Sequence, residues 1–393
     1  MINTARCDFS FSPALPESPG FEYLPALLGN PAVSIITPYF NTDELFLETM
    51  LTGLRQSFQQ FEWIIVDDGT DDAESLERLR FLSIVDERIS VHRHEQNRGL
   101  SAARNTGFSL ARCDWVFQLD SDDLLEPTAI EKLLWTGTLL PDAAAVGSFH
   151  VGFYANEYLN DGGFHHREGF LIANQTDANV LVRKSVHHQV GGYDESNRGG
   201  LEDWDFWLKV AHAGHWGFTV PEHLKWYRWR PRESGSPWTN WDGGENQRRF
   251  LEGLRHRYPR LWTDGFPPPP QFMAPPCTVA LQNPLRKLRR RELILCERIP
   301  EDIELLRSNA EGAEFTVVAL EGDPTGAESD LTRVTPDLFV LNRFLPEHAA
   351  PMFLVYLVGS RQPDLIDVRS PTLVPMGEFL AKRSGIELRV TTE

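Results

Sequence analysis

Short apolar and β-branched runs alternate with segments of helical spacing from residue 31 onward. The run AVSIIT at 32–37 predicts a buried strand, and Asn41 with Glu44 predicts a capping box before a helix. The helix itself is predicted by apolar residues on one face, at Leu47, Met50, Leu51, Leu54 and Phe58. The same pattern predicts strands at 61–66, 88–94, 115–119 and 143–151, with helices at 101–112 and 127–140. This alternation predicts an α/β fold with a largely parallel sheet and helices on both faces.

Changes in this pattern divide the chain into four parts. Residues 1–30 are rich in Pro, Ser and aromatics and predict an N-terminal arm, and residues 31–265 form the first domain. The stretch FPPPPQFMAPP predicts a Pro-rich linker at 266–280. Residues 281–393 then predict a second, smaller α/β unit. It begins with the basic, helical-looking run RKLRRR (286–291) and has strand candidates at 314–320, 337–344, 364–370 and 387–393.

Composition narrows the class of protein. A length of 393 residues suits two domains, and the net charge of −18 argues against nucleic acid as the main partner. The four cysteines are far apart in sequence, which favours free thiols in a reducing cytosol. No apolar run reaches the roughly 18 residues of a membrane span, and the N-terminus lacks the pattern of a signal peptide. We therefore expect a soluble cytoplasmic protein, which the basic run could hold peripherally at the inner face of an anionic membrane.

Three carboxylates follow a strand at QLDSDD. Asp120 and Asp122 are two apart, so they can face one site, and Asp123 extends the group. Unpaired buried carboxylates are costly, whereas oxygen ligands suit Mg²⁺ or Mn²⁺. A solvated turn before the helix at Pro127 is an equally simple interpretation of this motif alone.

Two other strand ends are predicted at the same edge of the sheet. VDDGT places Asp67 and Asp68 there, to hold a metal or to accept a hydrogen bond from a base or sugar, although turns have the same composition. TPYFN places Phe40 or Tyr39 where a ring could stack on a nucleobase, or could simply pack in the loop.

A further acidic group, LEDWD, precedes an amphipathic segment. Glu202, Asp203 and Asp205 could act only as partners of a helix N-terminus. The functional alternative makes Asp203 a general base that deprotonates an acceptor hydroxyl.

These motifs occur together in a known order. VSIITPYFNTDELFLETMLTGLRQS, FEWIIVDDGTDD, NRGLSAARNTGFSLARCDWVFQLDSDD and VGGYDESNRGGLEDWDFWLKV resemble the family 2 glycosyltransferases, which have the GT-A fold. The resemblance covers about residues 31–236. It implies a metal-dependent enzyme that transfers a sugar, usually with inversion, from a nucleotide diphosphate donor to a glycan, polysaccharide or lipid-linked acceptor.

The resemblance also implies roles for individual residues. Asp203 matches the general base, with Glu202 beside it, and Asp120 and Asp122 match the DxD motif that binds the metal, with Asp123 following. The positions implied for donor and nucleotide binding are Pro38, Phe40, Asn41, Asp67, Asp68, Arg98, Arg104, Asp120 and Arg228, with Ser234 in the same mobile segment as Arg228.

Some features depart from the family pattern or leave alternatives open. The first motif has Tyr-Phe-Asn in place of the usual Val/Thr-Tyr-Asn, and NQRRF (246–250) does not fit the QxxRW signature of processive members. Seven of the eleven tryptophans lie between Trp204 and Trp241. This cluster predicts either a part of the hydrophobic core or a platform on which an acceptor sugar stacks.

Residues 281–393 resemble the N-terminal half of a GT-B glycosyltransferase without its second half, which suggests a partial or interaction domain. Two other functions are weighed for the whole chain. A nucleotidyltransferase would need a Gly-rich loop after the first strand, which TPYFNTDE lacks. A non-catalytic carbohydrate-binding or scaffold protein would bind glycan without metal.

Overall fold

The computed structural model describes residues 23–230, 245–299, 313–322 and 335–391. Most of the predicted N-terminal arm and Ser234 lie outside these residues. Nothing in the described part of the chain is a helix both long and apolar enough to traverse a bilayer.

The first domain is built on one large sheet flanked by helices. In the described residues its strands are β1 (Val33–Tyr39), β2 (Phe61–Asp67), β3 (Ile89–Arg93), β4 (Trp115–Gln118), β5 (Leu124–Leu125), β6 (Ala143–Tyr154), β7 (Tyr158–Asn160), β8 (Leu181–Arg183) and β9 (Trp216–Trp229). Its helices are α1 (Phe46–Leu54), α2 (Ala73–Val85), α3 (Leu100–Leu110), α4 (Ala129–Leu139), α5 (Lys184–Gln189), α6 (Glu202–His212), α7 (Glu245–Arg257) and α8 (Arg260–Thr263).

The strands run in the order β3-β2-β1-β4-β8-β6-β9-β5, with β7 beside β6. The half from β3 to β4 is parallel, as the alternation of strand and helix predicts. Beyond β4 the sheet is mixed, because β8 is antiparallel to both β4 and β6, while β6 and β9 are parallel. The carboxyl ends of β1, β2 and β4 therefore meet at one edge, where ligands bind in such sheets.

The second unit has a smaller sheet. In the described residues its strands are β10 (Arg290–Arg298), β11 (Ala313–Glu321), β12 (Leu338–Val340), β13 (Leu365–Val368) and β14 (Glu387–Val390). Its helices there are α9 (Leu341–Phe344), α10 (Ala350–Arg361) and α11 (Val374–Ser384). All neighbouring strands are parallel in the order β12-β11-β10-β13-β14. A second α/β unit is thus present, as the sequence predicts.

Two predictions for this unit are wrong in detail. The basic run at 286–291 is not helical, since it is irregular up to Arg290, where β10 begins. Arg291 is buried and its Nε donates to Glu314 Oε2 at 2.6 Å, so this cation belongs to the sheet and not to a solvated helix face. The strand predicted at 337–344 ends at Val340, after which the chain turns into α9.

The two units share one hydrophobic core. The Pro-rich segment lies against the first domain, where Phe272 packs on Phe218 and the Met273 amide donates to the Leu139 carbonyl at 2.9 Å. Across the interface, the ring of Trp135 in α4 meets the ring of Phe353 in α10 edge to face at 5.1 Å. The predicted linker therefore runs along a packed interface.

A buried ionic cluster lies in this interface. Arg361 at the end of α10 pairs with Glu131 Oε2 of α4 at 2.7 Å and with Asp337 Oδ1 at 2.8 Å. All three side chains are at most 1% exposed. The Tyr356 hydroxyl donates to Glu131 as well. One arginine thus neutralises two carboxylates that come from both units.

Candidate active site

The end of β1 presents an exposed aromatic ring beside a tightly held turn. Phe40 is 45% exposed, whereas Tyr39 is buried and its hydroxyl donates to the Ser75 carbonyl. Of the two rings considered for base stacking, only Phe40 is open to a ligand. Pro38 is buried within β1.

Asn41 does not cap α1, contrary to the capping box that the sequence suggests. Its backbone is left-handed (φ 44°), and its Oδ1 accepts from the amides of Asp71 and Asp72 at 3.0 and 3.1 Å. Helix α1 begins later, at Phe46, without a side-chain cap. Asn41 instead ties the end of β1 to the loop after β2.

Asp67 and Asp68 are buried at the end of β2 and accept several hydrogen bonds each. Asp67 accepts from Arg93 Nη1 at 2.6 Å. Asp68 accepts from the Gly99 amide at 2.7 Å, the Arg98 amide at 2.9 Å and the His94 ring. These amides lie directly before helix α3, so Asp68 fixes the chain at the start of that helix against β2.

Arg104 of α3 joins two of the predicted motifs. Its guanidinium is buried, donates from Nη2 to Asp120 Oδ1 at 2.7 Å, and donates from Nη1 to Glu202 Oε1. Arg98, the other arginine of this segment, is exposed and pairs with Glu195. Arg104 therefore places the first aspartate of the DxD motif and the glutamate of the LEDWD motif within one ionic group.

Asp122 and Asp123 differ in their surroundings. Asp123 is fully buried and accepts from the Arg228 amide and from Asn179 Nδ2, so it holds the turn in place. Asp122 is partly exposed and accepts from Arg230 Nε at 2.6 Å. Burial raises the pKa of the Asp122 carboxyl, and the nearby Asp120 adds to this effect.

The two arginines at the end of β9 have different partners. Arg228 is buried, donates to the Asp122 carbonyl at 2.7 Å and pairs with Glu48 at 2.6 Å. Arg230, which the sequence analysis did not select, is more exposed and bridges Asp122 and Asp43. A direct contact between Arg228 and a donor would require it to leave these partners, whereas Arg230 already stands at the DxD turn.

The DxD carboxylates suit a small divalent cation. Among the described residues, Asp120 Oδ2 and Asp122 Oδ1 accept no hydrogen bond, so each carboxylate keeps one open oxygen. No group of three or more His, Cys, Asp or Glu ligands occurs in the part of the chain that the structure covers. One or two carboxylates are nevertheless the usual protein share for Mg²⁺, whose other ligands are water and substrate phosphates.

Asp203 lies in the first turn of α6 and is 6% exposed. Its Oδ2 accepts from Asn174 Nδ2 and its Oδ1 from the Trp204 amide, both at 2.8 Å. Burial, with a further contribution from the charge of Glu202, raises the pKa of the Asp203 carboxyl to about 8, although Arg104 opposes the shift. A buried carboxyl with this pKa suits a general base near neutral pH.

The segment 174–179 connects these groups and was missed by the sequence analysis. Asn174 donates to Asp203, and Asn179 Oδ1 accepts from the Asp120 amide at 2.7 Å. Asp177 pairs with Lys225 of β9 at 2.6 Å. The only sequence signal for the segment 174–179 is its polar composition, NQTDAN, shortly before β8, and this composition is equally typical of a loop.

The tryptophans from Trp204 to Trp241 differ in how deeply they are buried. Trp204, Trp207, Trp216 and Trp226 are buried in the core, while Trp229 is 41% exposed, and Trp238 and Trp241 lie outside the described residues. The interpretation of the cluster as core is confirmed for these four residues. Of the described tryptophans in the cluster, Trp229 alone presents its ring to solvent.

The pKa of Asp203 predicts the pH dependence of the reaction in which it acts as a base. Because only the carboxylate accepts a proton, kcat/KM should rise tenfold per pH unit below about 8 and level off above it. The measurement is kcat/KM from pH 6 to pH 9.5 with Mg²⁺. A flat profile between pH 6 and pH 8 would contradict the assignment. The affinity for nucleotide, measured at each pH, separates an effect on catalysis from one on binding.

Comparisons with known proteins identify the family to which the chain is similar. The sequence profile "Glycosyl transferase family 2" matches residues 34–193. The "Putative teichuronic acid biosynthesis glycosyltransferase TuaG" of Bacillus subtilis is 38% identical over 202 residues, which are 50% of this chain and 79% of that protein. "Glycosyltransferase GlyG" of Streptococcus pneumoniae is 32% identical over 163 residues, or 41% of this chain and 51% of the relative.

The chain spans about half the length of the first curated relatives that it matches. Among solved structures, Staphylococcus aureus "TarS 1-349 in complex with UDP-GlcNAc" has a TM-score of 0.47 at 15% identity, over 56% of this chain and 66% of that one. The identity to TuaG over most of its length shows the family. With its DxD and LEDWD motifs joined at one edge of the first sheet, the chain belongs to the family 2 glycosyltransferases.

Proposed function

We propose that this protein transfers a sugar, with inversion, from a nucleotide diphosphate donor to a hydroxyl of a glycan, polysaccharide or lipid-linked acceptor. The observation that supports the proposal most strongly is the bridge made by Arg104 between Asp120 of the DxD motif and Glu202, the neighbour of Asp203 in the chain. The name of the relative TuaG, which refers to teichuronic acid biosynthesis, supports a polysaccharide acceptor.

The catalytic step assigns one role to each part of the site. Asp203 takes the proton of the acceptor hydroxyl, whose oxygen forms a bond to the anomeric carbon as the bond from that carbon to the diphosphate breaks. The leaving diphosphate gains negative charge, which the guanidinium groups of Arg104 and Arg230 help to offset. In-line attack on the face opposite the leaving group inverts the configuration.

A divalent cation completes this electrostatic arrangement. Asp120 and Asp122 would hold Mg²⁺ or Mn²⁺ through their open oxygens, and such an ion neutralises negative charge on a diphosphate. We keep the residues at the strand ends as the donor-binding set, with Arg230 added beside the deeply buried Arg228. The set is Pro38, Phe40, Asn41, Asp67, Asp68, Arg98, Arg104, Asp120 and Arg228, to which we add Arg230.

Calorimetric titration with UDP, GDP and TDP, in Mn²⁺ and in EDTA, tests this proposal. We expect one nucleotide to bind in Mn²⁺ and to bind at least ~10-fold more weakly in EDTA, because the cation contributes several kcal/mol. Asp122→Asn should reduce this metal dependence, with Asp142→Asn, an exposed carboxylate before β6, as the matched control. Equal binding in both conditions would contradict the metal site. No binding of any nucleotide would favour the carbohydrate-binding or scaffold function.

A further inference from the structure

Three aromatic side chains form a row on one face of β7 and β9: Tyr158, Tyr227 and Trp229. The Trp229 ring lies 6.2 Å from the ring of Tyr158 and 6.3 Å from that of Tyr227, each at a steep angle. Tyr227 and Trp229 are two apart in β9, so they project from the same face. We call these residues the aromatic row.

Gly152 of β6 makes room for this row. It pairs with Tyr158 on one side and with Tyr227 on the other. A Cβ at this position would lie 2.0 Å from the Tyr158 ring, so the ring rests directly on the glycine backbone. The close packing holds Tyr158 in place next to Tyr227.

The aromatic row adjoins the candidate active site. Lys225, on the same face of β9, donates to Asp177 at 2.6 Å and to the Asn179 carbonyl at 3.1 Å. These acceptors belong to the segment 174–179, in which Asn174 donates to Asp203 and the Asn179 side chain contacts Asp120 and Asp123. The row is therefore connected to both the base and the DxD turn through a single short segment.

Two groups of the row are free to bind a ligand. In the described part of the protein the Tyr227 hydroxyl has no hydrogen-bond partner, and the residue is partly exposed. Burial raises the pKa of Tyr227, and the charges of Asp123 and Asp122 add to the effect, so the hydroxyl stays protonated and can donate a hydrogen bond. Trp229 offers an exposed ring face beside it.

The order of strands separates this row from the nucleotide side of the site. Apart from Arg228 and Arg230 of the β9 region, the proposed donor-binding residues end β1 and β2 or follow β3, and the DxD motif follows β4 in the middle of the sheet. The row lies on β7 and β9, beyond β8, on the other side of the DxD turn. A molecule on the row would approach the metal site from the β9 side of the sheet, opposite the ends of β1 and β2.

We propose that the aromatic row binds a pyranose ring of the acceptor, which stacks on Trp229 and accepts a hydrogen bond from the Tyr227 hydroxyl. This inference rests on the proposed transferase function and names the acceptor class of that site. A pyranose has a face of C–H groups, which pack on an aromatic ring, and an edge of hydroxyls, which need polar partners. The row combines such a ring with the Tyr227 hydroxyl, and the neighbouring Lys225 connects it through the segment 174–179 to the base that must reach an acceptor oxygen.

The test is saturation-transfer NMR with the methyl α- and β-pyranosides of glucose, galactose, mannose and N-acetylglucosamine. Each is measured with and without the nucleotide diphosphate and Mn²⁺ selected by calorimetry. We expect at least one pyranoside to receive saturation at its ring C–H protons from the wild-type protein. Trp229→Ala should weaken its binding about 10-fold, which is about 1.4 kcal/mol. Trp229→Phe should restore part of it.

Two further variants sharpen the result. Tyr227→Phe removes only the hydroxyl and should weaken pyranoside binding by roughly 2- to 10-fold. Phe379→Ala, which removes an equally exposed ring from α11 of the second unit, should leave it unchanged. All variants should bind the nucleotide as the wild-type protein does.

The outcomes distinguish this inference from the function on which it rests. Nucleotide binding together with a pyranoside signal that is equal in wild type and Trp229→Ala overturns the inference alone. The absence of any pyranoside signal in the wild-type protein, with nucleotide bound, overturns it as well. Failure of the wild-type protein to bind any nucleotide refutes the transferase function itself.

Discussion

Asp203→Asn should lower the rate of sugar transfer by about 10²- to 10⁴-fold, the range that a positioned general base contributes. The amide has nearly the same shape as the carboxyl and can still accept from the Trp204 amide, so α6 should keep its place. Because the Asp203 carboxylate accepts from Asn174 and Trp204 and the DxD motif is left unaltered, the affinity for the nucleotide diphosphate should not change. The measurements are kcat for transfer and calorimetric affinity for the nucleotide with metal.

Asp142→Asn is the matched control, since it also neutralises one carboxyl of the first domain but lies exposed before β6. Full transfer activity in Asp203→Asn would remove this residue from the role of base. Equal losses of transfer and of nucleotide affinity would instead indicate a damaged site.

The second large effect is expected at the interface of the two units. Arg361→Met should lower the free energy of unfolding by about 3–5 kcal/mol, because Glu131 and Asp337 would remain buried without their cation. Urea denaturation followed by tryptophan fluorescence measures this change.

A surface pair provides the comparison for Arg361. Lys287 pairs with Asp364 near the protein surface, so Lys287→Ala should change the free energy of unfolding by only about 0–1 kcal/mol. If Arg361→Met were as stable as Lys287→Ala, the buried cluster would not hold the units together. The triple variant that also has Glu131→Gln and Asp337→Asn should recover part of the loss, since it leaves no unpaired charge.

The sequence predicts which strand ends form the edge of the site, because each of these motifs directly follows an apolar run typical of a buried strand. Each of the motifs at 37–41, 66–70 and 118–123 follows an apolar run, and parallel neighbours must bring the ends of such strands together. Asp203 is found by a similar local signal, an acidic group at the start of an amphipathic helix. Whether these residues bind donor and metal stays a prediction.

The residues missed by the sequence analysis depend on contacts that no local pattern records. Arg230 lies two residues after the predicted Arg228 in a basic stretch, and its partners Asp43 and Asp122 are far away in the sequence. Asn174 and Asn179 have the sequence pattern of loop residues. They reach the site only because β8, which follows them, lies between β4 and β6 in the sheet. Their roles arise from tertiary packing, which periodicity cannot show.

Tertiary contacts that local sequence patterns do not record also explain the wrong predictions in the second unit. The run RKLRRR was expected to be helical, but Arg291 is required inside the sheet to pair with Glu314, and this acid lies 23 residues away. The Pro-rich segment was recognised by composition alone. Composition could not reveal that Phe272 and Met273 contact the first domain.

The shared hydrophobic core limits where the chain can be truncated. A chain that stops at residue 265 would present the ring of Trp135 to water and leave Glu131 without Arg361. Such a fragment would be aggregation-prone even though it contains every proposed catalytic residue. Limited proteolysis within the Pro-rich segment should therefore yield two pieces that stay associated, and amide protons of α4 and α10 should exchange with solvent at similar rates.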